Sequence, residues 1–563
     1  MRYLDFSDKS EDNFLKILDF NSFLPHPIIR KFSGSLLELY ISFIAGNIFL
    51  LARSPVAPNI TKILTVLFSI IYATNISKQI ILIVFIIKKI NHICQNFKDM
   101  FDFGLVGLGV MGRNFILNVA SNGYSTIGLS SKDKAIELLK TEGKDYEVDG
   151  TKSDEEFIKK LKRPRKIMLL VPAGKPVDSM IQRFLPYLED GDILIDGGNS
   201  HYDDTDRRYL YLKDKNINFI GAGVSGGSKG ARFGPSIMPG GDKECYSNLK
   251  PIFEATSAKV DGDPCVTYLG NTSSGHYVKM IHNGIEYAIM QLISENYHIL
   301  KYGLKKSNKE IHEVFERWNE GILESYLIEI TRDIFKASDM ESGNDLVDMI
   351  LDKAKQKGTG KWTSQSAMDF GVSIPTIDSS VSMRIISSFK SLREKAENIY
   401  GKNKINDLNI NITDLEKSLI FSFIISFAQG LSQLKIASDE KSYDLNYEEI
   451  CKIWRGGCII RARLLENFMK AFKKNNDLSN LLFDEDISSI INDTVNAARK
   501  VSVYCINNQI PAYSLLASLS YFDAIKSSRL PMNLIQAQRD CFGEHTFERI
   551  DKPGTFHFGN WQG

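Results

Sequence analysis

The stretch Phe103-Gly104-Leu105-Val106, followed at once by Gly107-Leu108-Gly109-Val110-Met111-Gly112, limits the fold of this chain more than any other. An apolar run, a G-x-G-x-x-G turn and a helical pattern carried by Phe115, Ile116, Val119 and Ala120 stand in the order strand, tight turn, helix N-terminus. Such glycines let the backbone approach a pyrophosphate, whose charge the helix's unpaired N–H groups and dipole then hold. The pattern predicts a dinucleotide-binding α/β domain. Further strands are expected at 125–129, 166–171, 192–196 and 218–222, leading into polar or glycine-rich turns and helices as in a doubly wound sheet.

The turns after those strands face the expected cofactor crevice. The second strand ends in Ser130-Ser131-Lys132, hydroxyls and a cation where an NAD-specific site wants a carboxylate for the ribose 2′-OH. A 2′-phosphate is tolerated there, which favours NADP over NAD. Gly197-Gly198-Asn199-Ser200 and Gly223-Val224-Ser225-Gly226-Gly227 follow later strands. Each also reads as a plain turn; as close backbone approaches to cofactor and substrate they make Asn199 and Ser225 hydrogen-bonding candidates.

After a turn at Asp261-Gly262-Asp263-Pro264 the pattern becomes helical and stays so to about Asp540. The first long helix, expected over 274–301, places Lys279, His282, Asn283, Glu286 and Tyr287 at i, i+3, i+4, i+7 and i+8, one face of one helix. Val278, Met280, Ile281 and Ile285 lie mostly on the other side. The stripe reads either as a solvated face with a Lys/Glu pair or as a proton-transfer face. In a cleft wall, desolvation would lower the Lys279 pKa and raise that of Glu286. Lys357-Gly358-Thr359-Gly360-Lys361-Trp362-Thr363 reads as a glycine-hinged loop with two amines; it lacks the spacing of a Walker A loop. Arg384, in an apolar helix, predicts an anionic partner, and Arg539 and His545 come together at a helix end and loop.

Composition narrows the classes. The 563 residues carry 24% charged and 43% apolar side chains, a soluble globular balance, and a net charge of +1 that offers no field for nucleic acid. Seven scattered cysteines without a C-x-x-C pair point to a reducing compartment and to no zinc site. Residues 1–100 differ: Ile-rich apolar runs at 36–52 and 63–87 contain Glu38 and Lys78, so neither is a clean membrane span of about 20 residues. A targeting or membrane extension, a docked helical hairpin and a mistaken start codon all remain open, with the last preferred.

Seven blocks from Phe103 onward resemble, in order, the decarboxylating 6-phosphogluconate dehydrogenases. They are Gly107–Gly112, Ile195-Asp196-Gly197-Gly198-Asn199, Gly223–Gly227, Val278–Tyr287, Lys357–Thr363, Trp454-Arg455-Gly456-Gly457-Cys458-Ile459-Ile460-Arg461 and Gln536-Ala537-Gln538-Arg539-Asp540. The resemblance implies a Rossmann-type α/β domain over 101–275 and a large all-α substrate and dimerisation domain over 276–540. A C-terminal tail over 541–563 would reach the partner of a cytoplasmic homodimer. It implies metal-free, NADP-dependent oxidation of 6-phosphogluconate at C3, loss of CO2, and protonation of the enediol to ribulose 5-phosphate. Lys279 is then the general base and Glu286 the general acid. Asn199, Ser225, Gly226, Gly227, His282 and Asn283 hold the carboxylate and hydroxyls; Tyr287, Lys357, Thr359, Arg384 and, across the dimer, Arg539 and His545 grip the phosphate. Gly107, Leu108, Gly109, Val110, Met111, Gly112, Ser130, Ser131, Lys132, Val171, Pro172, Ala173 and Asn199 line the cofactor. The chain departs from the family in Ser130-Ser131-Lys132 for Asn-Arg-Thr, in Pro172 for a lysine, and in Gly109 where alanine is frequent. Two rivals stand beside this reading: a β-hydroxyacid dehydrogenase for a small non-phosphorylated acid, and a non-catalytic NADP-binding relative.

Overall fold

The computed structural model describes residues 100–405 and 409–561. The expected N-terminal extension lies outside them up to residue 99. Seven strands, β1 (Phe103–Val106), β2 (Thr126–Leu129), β3 (Val148–Thr151), β4 (Lys166–Leu169), β5 (Ile193–Asp196), β6 (Asn218–Val224) and β7 (Ile237–Gly241), form one sheet in the order β3-β2-β1-β4-β5-β6-β7. The first six run parallel and β7 runs antiparallel to β6. Strand order reverses between β1 and β4, so the carboxyl ends of these strands open the crevice where such sheets take ligands.

Helices α1 (Val110–Ser121), α2 (Asp133–Glu142), α3 (Asp154–Lys159), α4 (Lys175–Phe184) and α5 (Tyr202–Lys213) make the crossovers, and α6 (Gly227–Phe233) and α7 (Lys243–Thr256) flank β7. Alternation along each strand divides the apolar side chains between two cores. Phe103, Leu105, Ile193 and Ile195 pack with Phe115 of α1 and Phe253 of α7. Val106, Ile167, Leu169 and Leu194 pack on the other face with Val177 and Phe184 of α4.

The last two strands of the sheet depart from expectation, while β4 ends two residues early at Leu169 and β3 joins the sheet unannounced. β6 runs on to Val224, so Gly223 and Val224 are strand residues and the turn starts at Ser225. The cause is β7, which pairs with β6 from Ile220↔Gly241 to Val224↔Ile237. The Met238-Pro239-Gly240-Gly241 segment of β7 looks like a turn; it is the outermost strand of the sheet, and on the side away from β6 residues 265–270 run along it, with the Pro239 carbonyl accepting from Leu269 N at 2.9 Å.

From Ser274 onward the chain is mainly helical. Helix α8 (Ser274–His298) is buried on nearly all sides, with Val278, Ile281, Ile285 and Leu292 in one core with Phe421 and Phe427 of the helix Ile412–Lys441. Among the described residues, Ile412–Lys441 alone is long and apolar enough to cross a membrane, but 83% of its apolar window is buried within the protein. It is therefore the core helix of this half.

Candidate active site

Helix α8 lies against β6 and β7 through glycines on both sides, Gly275 of the helix and Gly221, Gly223 and Gly240 of the strands, and Gly223 is the one that meets Lys279. A Cβ on Gly223 would stand 2.3 Å from Cβ and 2.7 Å from Cγ of Lys279. Only a strand residue without a side chain lets the lysine stem cross the sheet edge this closely. The stem then delivers the amine to the Ser225 turn. Lys279 Nζ donates to Asn283 Oδ1 at 2.6 Å and to Ser225 Oγ at 3.3 Å, and lies 3.2 Å from His282 Nδ1. His282 Nε2 is 3.2 Å from Ser225 Oγ.

Every member of this cluster is dry: Ser225 is 3% exposed, Lys279 6%, His282 0% and Asn283 8%. Burial takes the Lys279 ammonium down to about 8, against the pull of Glu286 and Cys458. Burial and the Lys279 charge hold His282 well below its ordinary value, so the imidazole is neutral. His282 Nδ1 also lies 3.0 Å from Asn283 Oδ1, which only accepts, so a ring proton on Nδ1 donates there and leaves Nε2 to accept from the Ser225 hydroxyl.

Glu286 stands at the other end of the stripe, with Oε2 4.0 Å from His282 Nδ1 and its side chain 21% exposed. Burial raises its pKa, while Lys279 and Arg384 oppose the rise. Two turns of helix thus hold an amine shifted toward neutrality and a carboxyl shifted toward protonation, the two states a base and an acid need at the same pH.

Tyr287 organises the next part of the stripe. The Arg384 guanidinium stacks over its ring at 3.5 Å, and a Cβ on Gly360 would stand 2.5 Å from the ring. Within the chain this ring, and not a carboxylate, covers the Arg384 guanidinium. Arg384 also donates to the Lys355 carbonyl at 3.2 Å, and it forms no ion pair with a described carboxylate. The Lys357–Thr363 segment is not a loop beyond Gly358: with φ at 105°, Gly358 caps a helix Thr359–Asp369. Thr359 is buried at its first position and Lys357 is exposed just before it. Tyr287, Thr359 and Arg384 therefore meet at one end of the stripe, with Lys357 at its margin.

The cofactor side is built by the first turn. Gly107 has φ at 98° and packs so that a Cβ would stand 2.4 Å from the Leu170 carbonyl oxygen. A Cβ on Gly112 would stand 2.0 Å from the Gly107 oxygen, while nothing lies within 4 Å of one on Gly109. No side chain caps α1. Tight backbone at two glycines, open space at the middle one and a bare helix N-terminus fit a pyrophosphate. Leu108 is buried under the turn, while Val110 is exposed at its crest and Met111 is partly covered. Ser130 is partly covered, and Ser131 and Lys132 are exposed at the end of β2, with Lys132 in no ion pair with a described residue. Val171 is partly covered and Pro172 and Ala173 are exposed at the end of β4, across the crevice; Asn199 is exposed after β5.

Arg539 and His545 are both exposed, on and after the helix Met532–Gly543. No described hydrogen bond or ion pair joins them to Lys279, Tyr287 or Arg384 within the chain. Their segment folds on Asp540, which is 0% exposed and accepts from Thr546 N, His557 Nδ1, Phe558 N and Trp561 Nε1 at 2.8–3.0 Å. These four donors hold its carboxyl well below the usual range.

Sequence patterning missed several residues that build the site. The Gly457 carbonyl oxygen would stand 2.5 Å from a Cβ on Gly226, and it accepts from Ser236 N at 2.7 Å. The Trp454 ring meets His282 edge-on at 5.8 Å between centroids. The Trp454-Arg455-Gly456-Gly457-Cys458 block was a signal for this wall, but nothing in its spacing said what it touched.

Known proteins resemble this arrangement throughout. Residues 102–270 match the family model for the NAD binding domain of 6-phosphogluconate dehydrogenase, and residues 275–561 match that for its C-terminal domain. The NADP(+)-dependent, decarboxylating 6-phosphogluconate dehydrogenase of Bacillus subtilis is 51% identical over 458 residues, 81% of this chain and 98% of that protein. Decarboxylating 6-phosphogluconate dehydrogenase 2 of Saccharomyces cerevisiae is 45% identical, covering 83% of this chain and 97% of its own. Among solved structures, Plasmodium falciparum 6-phosphogluconate dehydrogenase, studied with NADP+ and with 6-phosphogluconate, superposes with a TM-score of 0.79 at 46% identity, over 81% of this chain and 99% of that one. With both halves matched and identities this high, the chain belongs to the 6-phosphogluconate dehydrogenase family.

Proposed function

We propose that this chain oxidises 6-phosphogluconate at C3, releases CO2 from the resulting β-keto acid and yields ribulose 5-phosphate, with NADP as cofactor. The observation that carries the reading is the dry Lys279–Ser225–His282–Asn283 cluster with Glu286 at its far end. Bound along Gly107–Gly112, Ser130–Lys132, Val171–Ala173 and Asn199, NADP supplies the acceptor for the C3 hydride. Hydroxyls and a cation after β2 suit its 2′-phosphate, though Lys132 grips it as a point charge without the fork an arginine offers.

Neutral Lys279 takes the C3 hydroxyl proton as the hydride leaves. The resulting ammonium then donates to the new C3 carbonyl oxygen, where charge develops as CO2 departs. Protonated Glu286 delivers its proton to the enediol carbon. Ser225 and the backbone of Gly226 and Gly227 meet the substrate carboxylate, and His282 and Asn283 hold its hydroxyls. Tyr287, Lys357, Thr359 and Arg384 take the phosphate. Arg539 and His545 complete that end from the partner subunit of a homodimer. Exposed Leu534 (62%), Phe542 (74%) and Ile550 (93%) on the tail segment support this reading, since an isolated monomer has no use for them.

The test is NADPH formation by the full chain, assayed with NADP and with NAD. Oxidation of 6-phosphogluconate with stoichiometric CO2 and a preference for NADP is expected. Turnover of a small non-phosphorylated hydroxyacid, with none of 6-phosphogluconate, would overturn it.

A further inference from the structure

The turns after β4 and β5 come from separate crossovers, yet one side chain ties them together. Arg208 of α5 is 1% exposed. Its Nη2 donates to the Gly174 carbonyl at 3.0 Å, next to Ala173 in the turn after β4. Nη1 donates to Ser200 Oγ at 3.2 Å and to Asp196 Oδ2 at 3.3 Å, in the turn after β5, and Nε donates to Asp178 Oδ1 at 2.8 Å. A planar guanidinium can span these acceptors at once; an ammonium on a flexible stem cannot.

Asp196 passes the connection on. Its Oδ1 accepts from Gly198 N at 3.0 Å and its Oδ2 from Ser200 Oγ at 2.5 Å, fixing the turn that presents Asn199. Its carbonyl oxygen meets His276 Nε2 at 3.1 Å. A carbonyl only accepts, so Nε2 carries the ring proton and Nδ1, 2.7 Å from Thr205 Oγ1, accepts from that hydroxyl. His276 is 1% exposed and lies one residue short of a turn before Lys279 on α8. Burial keeps it neutral, as this bonding requires.

We infer that Arg208 is a positioning residue: through Gly174, Ser200 and Asp196 it fixes the two turns lining the cofactor crevice to one another and, by way of His276, to the helix that carries the base. It touches neither substrate nor cofactor. Its work is to hold the distance between the hydride's donor and acceptor sites constant, and it rests on the reaction proposed above.

The test uses the full chain with Arg208→Lys, which keeps the charge but spans one turn at most, and Ser200→Ala, which cuts the link to the second turn without emptying the core. NADP affinity is read by calorimetry, without turnover, beside kcat, both KM values and the primary deuterium isotope effect with C3-deuterated 6-phosphogluconate. For Arg208→Lys, NADP binding weakens and kcat/KM for NADP falls by on the order of tenfold to a hundredfold, with an enlarged isotope effect as hydride transfer becomes slower than the steps around it. Ser200→Ala shows the same pattern in smaller measure. Wild-type values for NADP affinity, KM and isotope effect in both variants, or a loss confined to melting temperature, would overturn the assignment. If Arg208→Lys does not fold, Ser200→Ala decides on the same readouts. A wild-type chain that binds NADP but leaves 6-phosphogluconate unoxidised refutes the reaction, while the calorimetry still judges Arg208.

Discussion

Burial moves the Lys279 ammonium from 10.5 to about 8, with Glu286 resisting. The base is the neutral amine, about a tenth of the population at pH 7. The sign follows: kcat/KM for 6-phosphogluconate rises with pH through an acidic limb near 8 and levels off above it. In Glu286→Gln the carboxylate that favours the ammonium is gone, so the limb moves to lower pH while turnover falls for want of the acid. A pH profile of both proteins decides this, and a limb that stays in place would separate Glu286 from the base. Lys279→Met should bind NADP normally in calorimetry and form no NADPH; near-wild-type turnover would remove Lys279 as the base. At this scale the sequence was legible where one helical period did the work. Lys279, His282, Asn283 and Glu286 share a face by spacing alone, whereas their meeting with Ser225, 54 residues from Lys279, depends on how α8 lies on the sheet. Within the chain the Arg384 guanidinium lies on the Tyr287 ring and in no ion pair with a described carboxylate, and local sequence does not say which kind of group is near.

An element's place depends on what its surface admits, and α8 is the clearest case here. A methyl at Gly223 would overlap the Lys279 stem, so Gly223→Ala either displaces the helix or bends the strand. Overpacking of this kind costs about 1–3 kcal/mol, small against whole-protein stability but enough to move an amine that must sit within hydrogen-bonding range. The expected outcome is a folded protein with NADP affinity retained and kcat reduced by on the order of a hundredfold; undiminished kcat would show that the close approach is dispensable. Further along α8, buried Glu295 accepts from Ser514 N at 2.9 Å and Leu515 N at 3.0 Å, capping the helix Tyr513–Ile525. Gln291 donates to the same carboxyl, and burial raises it to about 7. Glu295→Gln would turn an amide toward one of those N–H groups, and denaturation at pH 8 should show a loss of about 1–3 kcal/mol. None of this was legible locally. The β1 turn and the α1 pattern announced themselves because a glycine turn and an apolar run carry their own signal, while β7 hid behind Pro239 and two glycines and was revealed only by its pairing with β6.

The molecule as a whole poses a different problem, because the hydrogen bonds and ion pairs that residues 531–561 make with described residues stay within that segment. Asp540 is the hub, gathering Thr546, His557, Phe558 and Trp561. The Gln536–Asp540 block drew attention to Arg539, which is exposed, while the neighbouring carboxylate that shapes the tail passed unremarked, since a buried acid and a surface acid look alike in one sequence. If the tail completes the partner's phosphate site, Asp540→Ala should unmake that site without touching the cofactor crevice: KM for 6-phosphogluconate rises steeply and NADP affinity holds. The decisive form of the experiment pairs two defective proteins. Lys279→Met subunits carry a sound tail and no base; Asp540→Ala subunits carry a sound base and no ordered tail. Each homodimer is weak. When the two are unfolded together and refolded, a mixed dimer contains one site built from the good base of one subunit and the good tail of the other, as two-fold symmetry requires. Activity should reappear on mixing to about a quarter of wild type, because half of randomly paired dimers are mixed and each has one working site of two. If the tail instead served its own subunit, no combination of these chains would hold both parts, and the mixture would stay as inactive as its components.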